Sequence, residues 1–318
     1  MKVSELMSTM NDSRVLKKRS VARRVKKYWL LYVLLLFPVG YTVLFSYVPM
    51  YGLQLAFKNF RAADGIWNSP WNNYKHFQIL FQGLSFPRAF WNTLYISFMR
   101  LIFGFPAPII FAILINEIRH LKFKKTVQSL SYLPNFMSWV VLGGLIKNIL
   151  SPTRGAINAI LAKFGVAPIF FMTIPSLFVP ILLVTGIWAG VGWGAIIYLA
   201  TMTGIDPELY ESAEIDGARR FRKAWHITIP GIMPVIVIQL ILSVGSILNG
   251  GFDQIFNLMN PLVMETAEII DTYVYRIGLQ EMRYDLATAV GLFKNVVGVI
   301  LIVIVNFTIS KFSEHGIW

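Results

Sequence analysis

The 318-residue sequence contains no cysteine, which excludes a disulfide framework, a thiol nucleophile and a thiolate metal site. It also lacks a GxxxxGKS/T phosphate loop, an HExxH zinc helix and a GxSxG nucleophile elbow. The four histidines fall in separate loops, at His76, His120, His226 and His315. We therefore expect no catalytic residue, no metal site and no bound cofactor in this chain.

Charged residues are also scarce. They make up 14% of the chain, whereas soluble domains carry about 25%. Hydrophobic residues make up 56%, and the mean hydropathy is +0.59. Several uncharged runs exceed the roughly 20 residues that cross a bilayer. The sequence therefore predicts an all-α, polytopic membrane protein, with a polar tail (1–27) and one transmembrane domain (28–318). The six predicted spans are residues 29–51, 90–115, 127–146, 176–202, 229–248 and 286–310, and Pro106 and Pro108 are expected to break the second.

The basic residues indicate the orientation. Of the 29 Lys and Arg residues, 18 lie on the predicted side of the two termini, nine lie in the opposite loops, and Arg100 and Lys294 lie within spans. Because Lys and Arg gather on the cytoplasmic side, both termini are predicted to be cytoplasmic. The 1–27 tail fits a topology signal that contacts lipid. No aromatic residue interleaves its charges as nucleic-acid binding would favour, and no signal-peptide cleavage site follows.

The stretch 206–228, between the fourth and fifth spans, has the signals of two helices. Asp206 is a preferred N-cap, and Pro207 suits the first helical position. Acidic residues follow near the positive end of the helix dipole, and Gly217 can adopt the left-handed conformation that ends a helix. Basic residues then predict a second short helix before Pro230 and Pro234 open the next span: Arg219, Arg220, Arg222 and Lys223. We interpret this loop as a helix-turn-helix on the membrane surface, offered to a partner protein.

The spacing within this loop is specific. It runs Glu211-Ser212-Ala213, three residues, Gly217, nine residues, Ile227, one residue, then Ile229-Pro230. This resembles the EAA motif, EAA-x3-G-x9-I-x-LP, of permease subunits in binding-protein-dependent ABC importers; Ser212 and Ile229 are mild departures. The runs LSYLPNFMSWVV, NGGFDQIFNLMNP, DTYVYRIGL and AVGLFKNVVG and the C-terminal GIW look like the carbohydrate branch, particularly subunits that import oligosaccharides or polysaccharide fragments.

The resemblance implies the arrangement of a type I ABC importer in the bacterial cytoplasmic membrane. Its expected partners are a second, related permease subunit, two cytoplasmic ATPase subunits that hold ATP and Mg, and an extracytoplasmic sugar-binding lipoprotein. Transport would proceed by alternating access, with loop 206–228, hereafter the coupling loop, docking on the ATPase. The residues expected to couple are Glu211, Ser212, Ala213, Asp216, Gly217, Arg219, Ile227 and Pro230. The competing interpretation, a stand-alone secondary transporter or channel, calls for ion-coupling acids within the spans, and the predicted spans contain none.

Charges within a bilayer point to a pathway or a pairing role. Arg100 and Lys294 have no acid within their own spans. They could contact substrate hydroxyls or carboxylates, pair with carbonyls or acids of the partner subunit, or extend to the interface. A sugar that contains uronic acid would suit two unpaired cations. Glycines at 186, 190 and 194 favour helix packing first and pore lining second. The candidate substrate pathway comprises Arg100, Trp188, Trp193, Asn249, Asp253, Tyr273, Lys294 and Asn295.

Overall fold

The fold of residues 25–312 is described by a computed structural model and is helical, with one isolated antiparallel bridge between Lys58 and Trp71. Most of the predicted basic tail and the C-terminal GIW lie outside the described residues. Contacts divide the chain into two units, one ending at Gln54 and one beginning at Leu55. The first helix, α1 (Trp29–Phe57), is α-helical over Trp29–Thr42 and then passes through a π turn into a 3-10 segment.

The second unit contains the remaining helices. In chain order they are α2 (Gly65–Asn68), α3 (Lys75–Gln82), α4 (Ser85–Asn116), α5 (Leu121–Phe136), α6 (Trp139–Ile149), α7 (Ala156–Lys163), α8 (Pro175–Met202), α9 (Pro207–Ile215), α10 (Arg220–Gly245), α11 (Phe252–Leu258), α12 (Met264–Ala267), α13 (Ile270–Tyr275) and α14 (Tyr284–Phe312). Within the described residues, five helices are long and apolar enough to cross a membrane, and α5 with α6 forms a sixth candidate if that bent pair is one span. The prediction of about six spans is confirmed.

The third predicted span, 127–146, is not one straight helix. α5 ends in a 3-10 turn at Leu133–Phe136, and α6 leaves it at an angle of 105°. Pro134 favours the end of a helix, and Ser138 begins the next one by accepting a hydrogen bond from the Val141 N–H at 3.4 Å. The residues that cause this bend are therefore close together in the sequence, but they lie inside an apolar run that predicts a single span.

Two prolines lie inside continuous helices, although the sequence predicts a break at Pro106 and a helix start at Pro230. A π turn at Arg100–Gly104 stands before Pro106, and another at Ala224–Thr228 stands before Pro230. A proline removes one N–H and crowds the carbonyl four residues earlier, which in each case lies inside the π turn. The wider turn keeps the helix continuous. Consequently the basic segment at the start of α10 is the first turn of the fifth span, and not a separate short helix.

α8 lies at the centre of the second unit. Its buried residues join two apolar clusters, one shared with α6 and α11 and the other with α4 and α10. Gly192 lets α5 approach closely, because a Cβ at this position would overlap the Ser131 carbonyl oxygen. A third cluster joins α3, α4, α13 and α14. The packing thus places α4, α8 and α10 around one central space.

Two contacts each join a pair of segments that the sequence assigns to the same side of the membrane. Glu117, which follows α4, contacts Arg220 at the start of α10. The 52–89 excursion contacts the first turn of α14, since His76 Nε2 lies 3.4 Å from Asp285 Oδ2. The first contact joins predicted cytoplasmic segments, and the second joins predicted external ones.

Candidate coupling loop and transport cavity

The first helix of the coupling loop begins as the sequence predicts. The Asp206 carboxylate accepts a hydrogen bond from the Glu208 N–H at 3.0 Å, and Pro207 occupies the first turn. The Ser212 hydroxyl donates to the Glu208 carbonyl. Cap and proline together fix where α9 starts relative to the end of α8.

Gly217 closes this helix in a Schellman motif. Its φ angle is +76°; its N–H donates to the Glu214 carbonyl at 3.0 Å, and the Ala218 N–H donates to the Ala213 carbonyl at 2.8 Å. The spacing from Ala213 to Gly217 is therefore the spacing of this cap. A side chain at position 217 would oppose the left-handed conformation by about 1 kcal/mol.

Ion pairs hold the two halves of the loop together. Lys223 Nζ lies 2.5 Å from Glu214 Oε1, across the turn made by Gly217. The hydrogen bond from Lys223 and its charge lower the pKa of Glu214. Arg220 Nε lies 3.7 Å from Glu117 Oε2, which ties the second half of the loop to the end of α4. The loop is thus braced internally and connected to a helix that lines the central space.

A buried contact attaches α9 to α10. The Tyr210 hydroxyl lies 3.0 Å from Thr228 Oγ1, and Thr228 is buried in the π turn. Ile227, which precedes Thr228, and Ala213 of α9 are half-buried. Three of the predicted coupling positions thus serve the loop's own structure: Ala213, Gly217 and Ile227. The other five are exposed and available to a partner: Glu211, Ser212, Asp216, Arg219 and Pro230.

The sequence interpretation misses the apolar part of the exposed surface. Ile215 is 87% exposed and Phe221 80% exposed, in a loop rich in charge. Phe221 stacks on Trp225, with ring centroids 6.3 Å apart, and Leu209 is also exposed. Large apolar side chains held in this way at a surface indicate a protein interface. In the sequence these residues appear as single hydrophobic positions between charged ones, and the spacing of the EAA-like motif does not include them.

A cavity of about 1010 Å³ lies between α4, α8, α10 and α11. Gly186, Gly190 and Gly194 of α8 line it, so the glycines predicted first for packing also line a cavity. Of these, Gly194 also packs closely, because a Cβ there would lie 2.9 Å from Pro108 Cγ. The charged residues among the lining side chains of the described chain are Arg100 and Asp253.

Arg100 is held by neutral groups. Its Nη2 donates to Gln254 Oε1 at 2.6 Å. Gln254 is buried, and its own amide donates to the Leu182 carbonyl at 2.8 Å and to Thr185 Oγ1 at 2.9 Å. Gly251, with a φ angle of +80°, lies under the guanidinium; a Cβ at this position would overlap Arg100 Nη1. Neither Gln254 nor Gly251 is predicted from the sequence as part of the site.

Lys294 has a partner within its own chain, contrary to the prediction of two unpaired cations. Its Nζ lies 2.5 Å from Asp271 Oδ1, and both side chains are largely buried. Asp271 lies in α13, which the sequence assigns to an external loop but which packs along α14. Lys294 is therefore part of an internal ion pair and not a lining residue of the Arg100 cavity.

The other predicted pathway residues divide into two groups. Trp193 and Asp253 line the cavity, and Asn249 lines an adjoining space of about 180 Å³ that Arg100 also borders. Tyr273 does not face an open pathway: it is 7% exposed, and the Arg276 guanidinium lies over its ring. Trp188 and Asn295 are exposed, away from the cavity lining.

Comparison with known proteins decides the family. Residues 79–314 match the family described as binding-protein-dependent transport system inner membrane component. The chain belongs to this family. The resemblance inferred from the EAA-like spacing is thereby confirmed.

The permease is 42% identical over 323 residues to the polygalacturonan/rhamnogalacturonan transport system permease protein YteP of Bacillus subtilis, with 100% of both chains covered. It is 40% identical over 288 residues to protein LplB of the same organism, with 91% of each covered. Its fold is similar to a chain in the crystal structure of a bacterial ABC transporter involved in the import of the acidic polysaccharide alginate, with a TM-score of 0.86, 41% identity and coverage of 92% of the permease and 99% of that chain. A second structure of such a transporter, in complex with a periplasmic protein that carries an alginate pentasaccharide, matches with a TM-score of 0.85 and 41% identity, covering 93% of the permease and 99% of that chain.

Proposed function

We propose that this permease is one of two related membrane subunits of an ATP-driven importer that carries oligosaccharides across the bacterial cytoplasmic membrane. A relative that aligns over the full length of both chains is named as a polygalacturonan/rhamnogalacturonan transport permease, and the similar solved structure belongs to an importer of alginate. The chain itself performs no covalent chemistry. ATP and Mg would be held by two cytoplasmic ATPase subunits, and an extracytoplasmic lipoprotein would deliver the sugar.

The coupling loop carries this proposal. It combines a rigid turn at Gly217, exposed polar residues at the EAA-like positions and exposed apolar side chains such as Ile215 and Phe221. An element that transmits force between proteins needs this rigidity and a surface that can be buried. Both termini would lie in the cytoplasm, on the side of this loop.

The helix connections suggest how ATPase closure would reach the cavity. The second half of the loop continues without a break into α10, and Arg220 ties the same segment to Glu117 after α4. α4 and α10 both line the Arg100 cavity. Movement of the loop with the ATPases would thus shift two walls of the cavity together, which is the basis of alternating access.

Affinity purification from membranes tests the proposal. We expect the tagged permease to recover an ATPase and a second permease, and the reconstituted complex to take up an oligosaccharide only with ATP and the loaded binding protein. A variant with Ile215 and Phe221 both changed to Ser should lose the ATPase but keep the second permease. Transport by the purified chain alone would contradict the proposal and favour a secondary transporter or channel.

A further inference from the structure

We propose that Arg100 is the centre of a carboxylate-binding subsite in the transport cavity, which takes a uronic acid residue of the transported oligosaccharide. This inference rests on the proposed function and names the substrate class of the same cavity. It depends on the geometry of α4, α8 and α11, and not on the coupling loop.

Arg100 is a cation without a carboxylate partner in an apolar setting. Its hydrogen-bond partner in the described chain is the neutral Gln254, whereas Lys294 is paired with Asp271. A charge removed from water is costly unless it is paired. Because the α4 helix is long and apolar enough to cross a membrane, this cost would select against an arginine that had no ligand.

The guanidinium is also held in a defined orientation. Gln254 is fixed by Leu182 and Thr185, so its oxygen is directed at Arg100 Nη2. Gly251 leaves space that any side chain would fill. A guanidinium has five N–H donors in a planar fork that matches a carboxylate in two parallel hydrogen bonds. Gln254 accepts a hydrogen bond from one of these donors, and others remain for a ligand.

The surrounding cavity fits a sugar chain. Trp139 and Trp193 line it and can pack against sugar rings, while the glycines of α8 leave room along the wall. Asp253 lines the same cavity and forms no ion pair with Arg100 in the described chain, and its carboxylate accepts hydrogen bonds from sugar hydroxyls. A uronic acid supplies both kinds of partner, a carboxylate for Arg100 and hydroxyls for Asp253.

Uptake by the reconstituted complex, with its binding protein and ATPases, tests the inference. The two substrates are trigalacturonate and its methyl ester, which differ in charge at the carboxyl groups. The variants are Arg100→Gln, which removes the charge, and Arg100→Lys, which keeps the charge but not the fork. Arg61→Gln, outside the cavity on the 52–89 excursion, is the charge-matched control. Each variant is compared with wild type on the same substrate, so the preference of the binding protein cancels.

We expect Arg100→Gln to lower trigalacturonate uptake about tenfold, which corresponds to about 1.4 kcal/mol, and to lower methyl ester uptake less than about twofold. Arg100→Lys should fall between, and Arg61→Gln should resemble wild type. Yield and basal ATPase activity report on folding. Equal losses for both substrates, or a wild-type complex that takes up only the ester, would overturn the subsite and leave the proposed function standing. A wild-type complex that takes up no oligosaccharide would overturn the proposed function itself.

Discussion

The coupling loop and the Arg100 cavity both depend on arginine, but they hold it in different ways. Arg220 of the loop is exposed and pairs with Glu117 at 3.7 Å, where water screens the interaction. Arg100 of the cavity is held by the neutral amide of Gln254 at 2.6 Å, and residues on α8 fix that amide in turn. The loop's arginine faces a carboxylate of its own chain and is open to water, whereas the cavity's arginine has a neutral partner and donors left for a ligand.

This difference separates two tasks. Under the proposed function the loop must keep its shape while a partner moves it, which the cap at Gly217 and the Lys223–Glu214 pair across it favour. Under the same proposal the cavity must bind a substrate and then release it, and its arginine is held in one orientation by Gln254 with donors left over. A glycine with positive φ stands at the centre of each: Gly217 allows a turn, and Gly251 allows a side chain to approach.

The largest effect is expected from breaking the turn of the loop. Gly217→Pro should lower ATP-driven uptake more than about twentyfold, because proline fixes φ near −65° and removes the N–H that caps α9. Basal ATPase activity should remain but lose its stimulation by the loaded binding protein. Reconstituted uptake and ATPase assays measure both.

The chain provides a matched control for this change. Gly165 ends α7 in the same kind of cap, with a φ angle of +74° and open space within 4 Å of where a Cβ would stand, but it lies in a loop that the sequence assigns to the opposite side of the membrane. Gly165→Pro should insert and couple nearly as wild type. If both proline variants lost uptake equally, the effect would be general strain and not coupling.

The next largest effect is expected at the glycine of the cavity. Gly251→Ala should lower uptake about tenfold, since a Cβ would displace the guanidinium of Arg100 and strain a left-handed φ. Gly190→Ala is the control, because it lines the same cavity with nothing within 4 Å of the added carbon. Stimulated ATPase activity without uptake would place the defect in the cavity. Wild-type uptake by Gly251→Ala would show that the position of Arg100 does not matter.

A smaller effect on uptake is expected when Lys294, the cation that is paired within α13 and α14, is replaced. Lys294→Met should lower the yield of the folded permease about threefold, because it leaves Asp271 largely buried without a partner. Uptake per assembled complex should change little, and a second change, Asp271→Asn, should restore the yield. Arg88→Met, which breaks an exposed pair with Glu265, serves as the control. Substrate-selective loss in Lys294→Met would remove the distinction between this lysine and Arg100.

Local signals explain what can be predicted from the sequence. Asp206, Pro207 and Gly217 act on backbone groups within a few residues, so helix caps and the turn of the loop follow from spacing alone. The contact between Arg100 and Gln254 spans 154 positions, and no local pattern carries it. Lys294 looks unpaired in the sequence because Asp271, only 23 positions away, falls in a predicted external loop.

Prolines show a second limit. The sequence predicts a break at Pro106 and a helix start at Pro230, but a π turn of five residues before each one keeps the helix continuous. The neighbouring helices stabilise that wider turn, and a single span considered in isolation does not contain them. Arg100 is the first residue of one of these turns, so Pro106 affects where the Arg100 side chain enters the cavity.

The smallest effect is expected at the brace across Gly217. Lys223→Met should speed amide hydrogen exchange at residues 213–219 less than about threefold, because a pair with an exposed carboxylate contributes little to stability. Glu214→Gln should do the same, and the double variant should add nothing further, since both changes remove one interaction. Exchange monitored by mass spectrometry in the assembled complex measures this, with Lys163→Met in α7 as the control.

The pKa of Glu214 is lowered by Lys223, so the ion pair across Gly217 is present at neutral pH and is lost only as the pH falls below the ordinary carboxyl value of 4.5. A brace that weakened between pH 6 and 8 would point to a different group, and additive effects in the double variant would mean that Glu214 and Lys223 act separately on the loop.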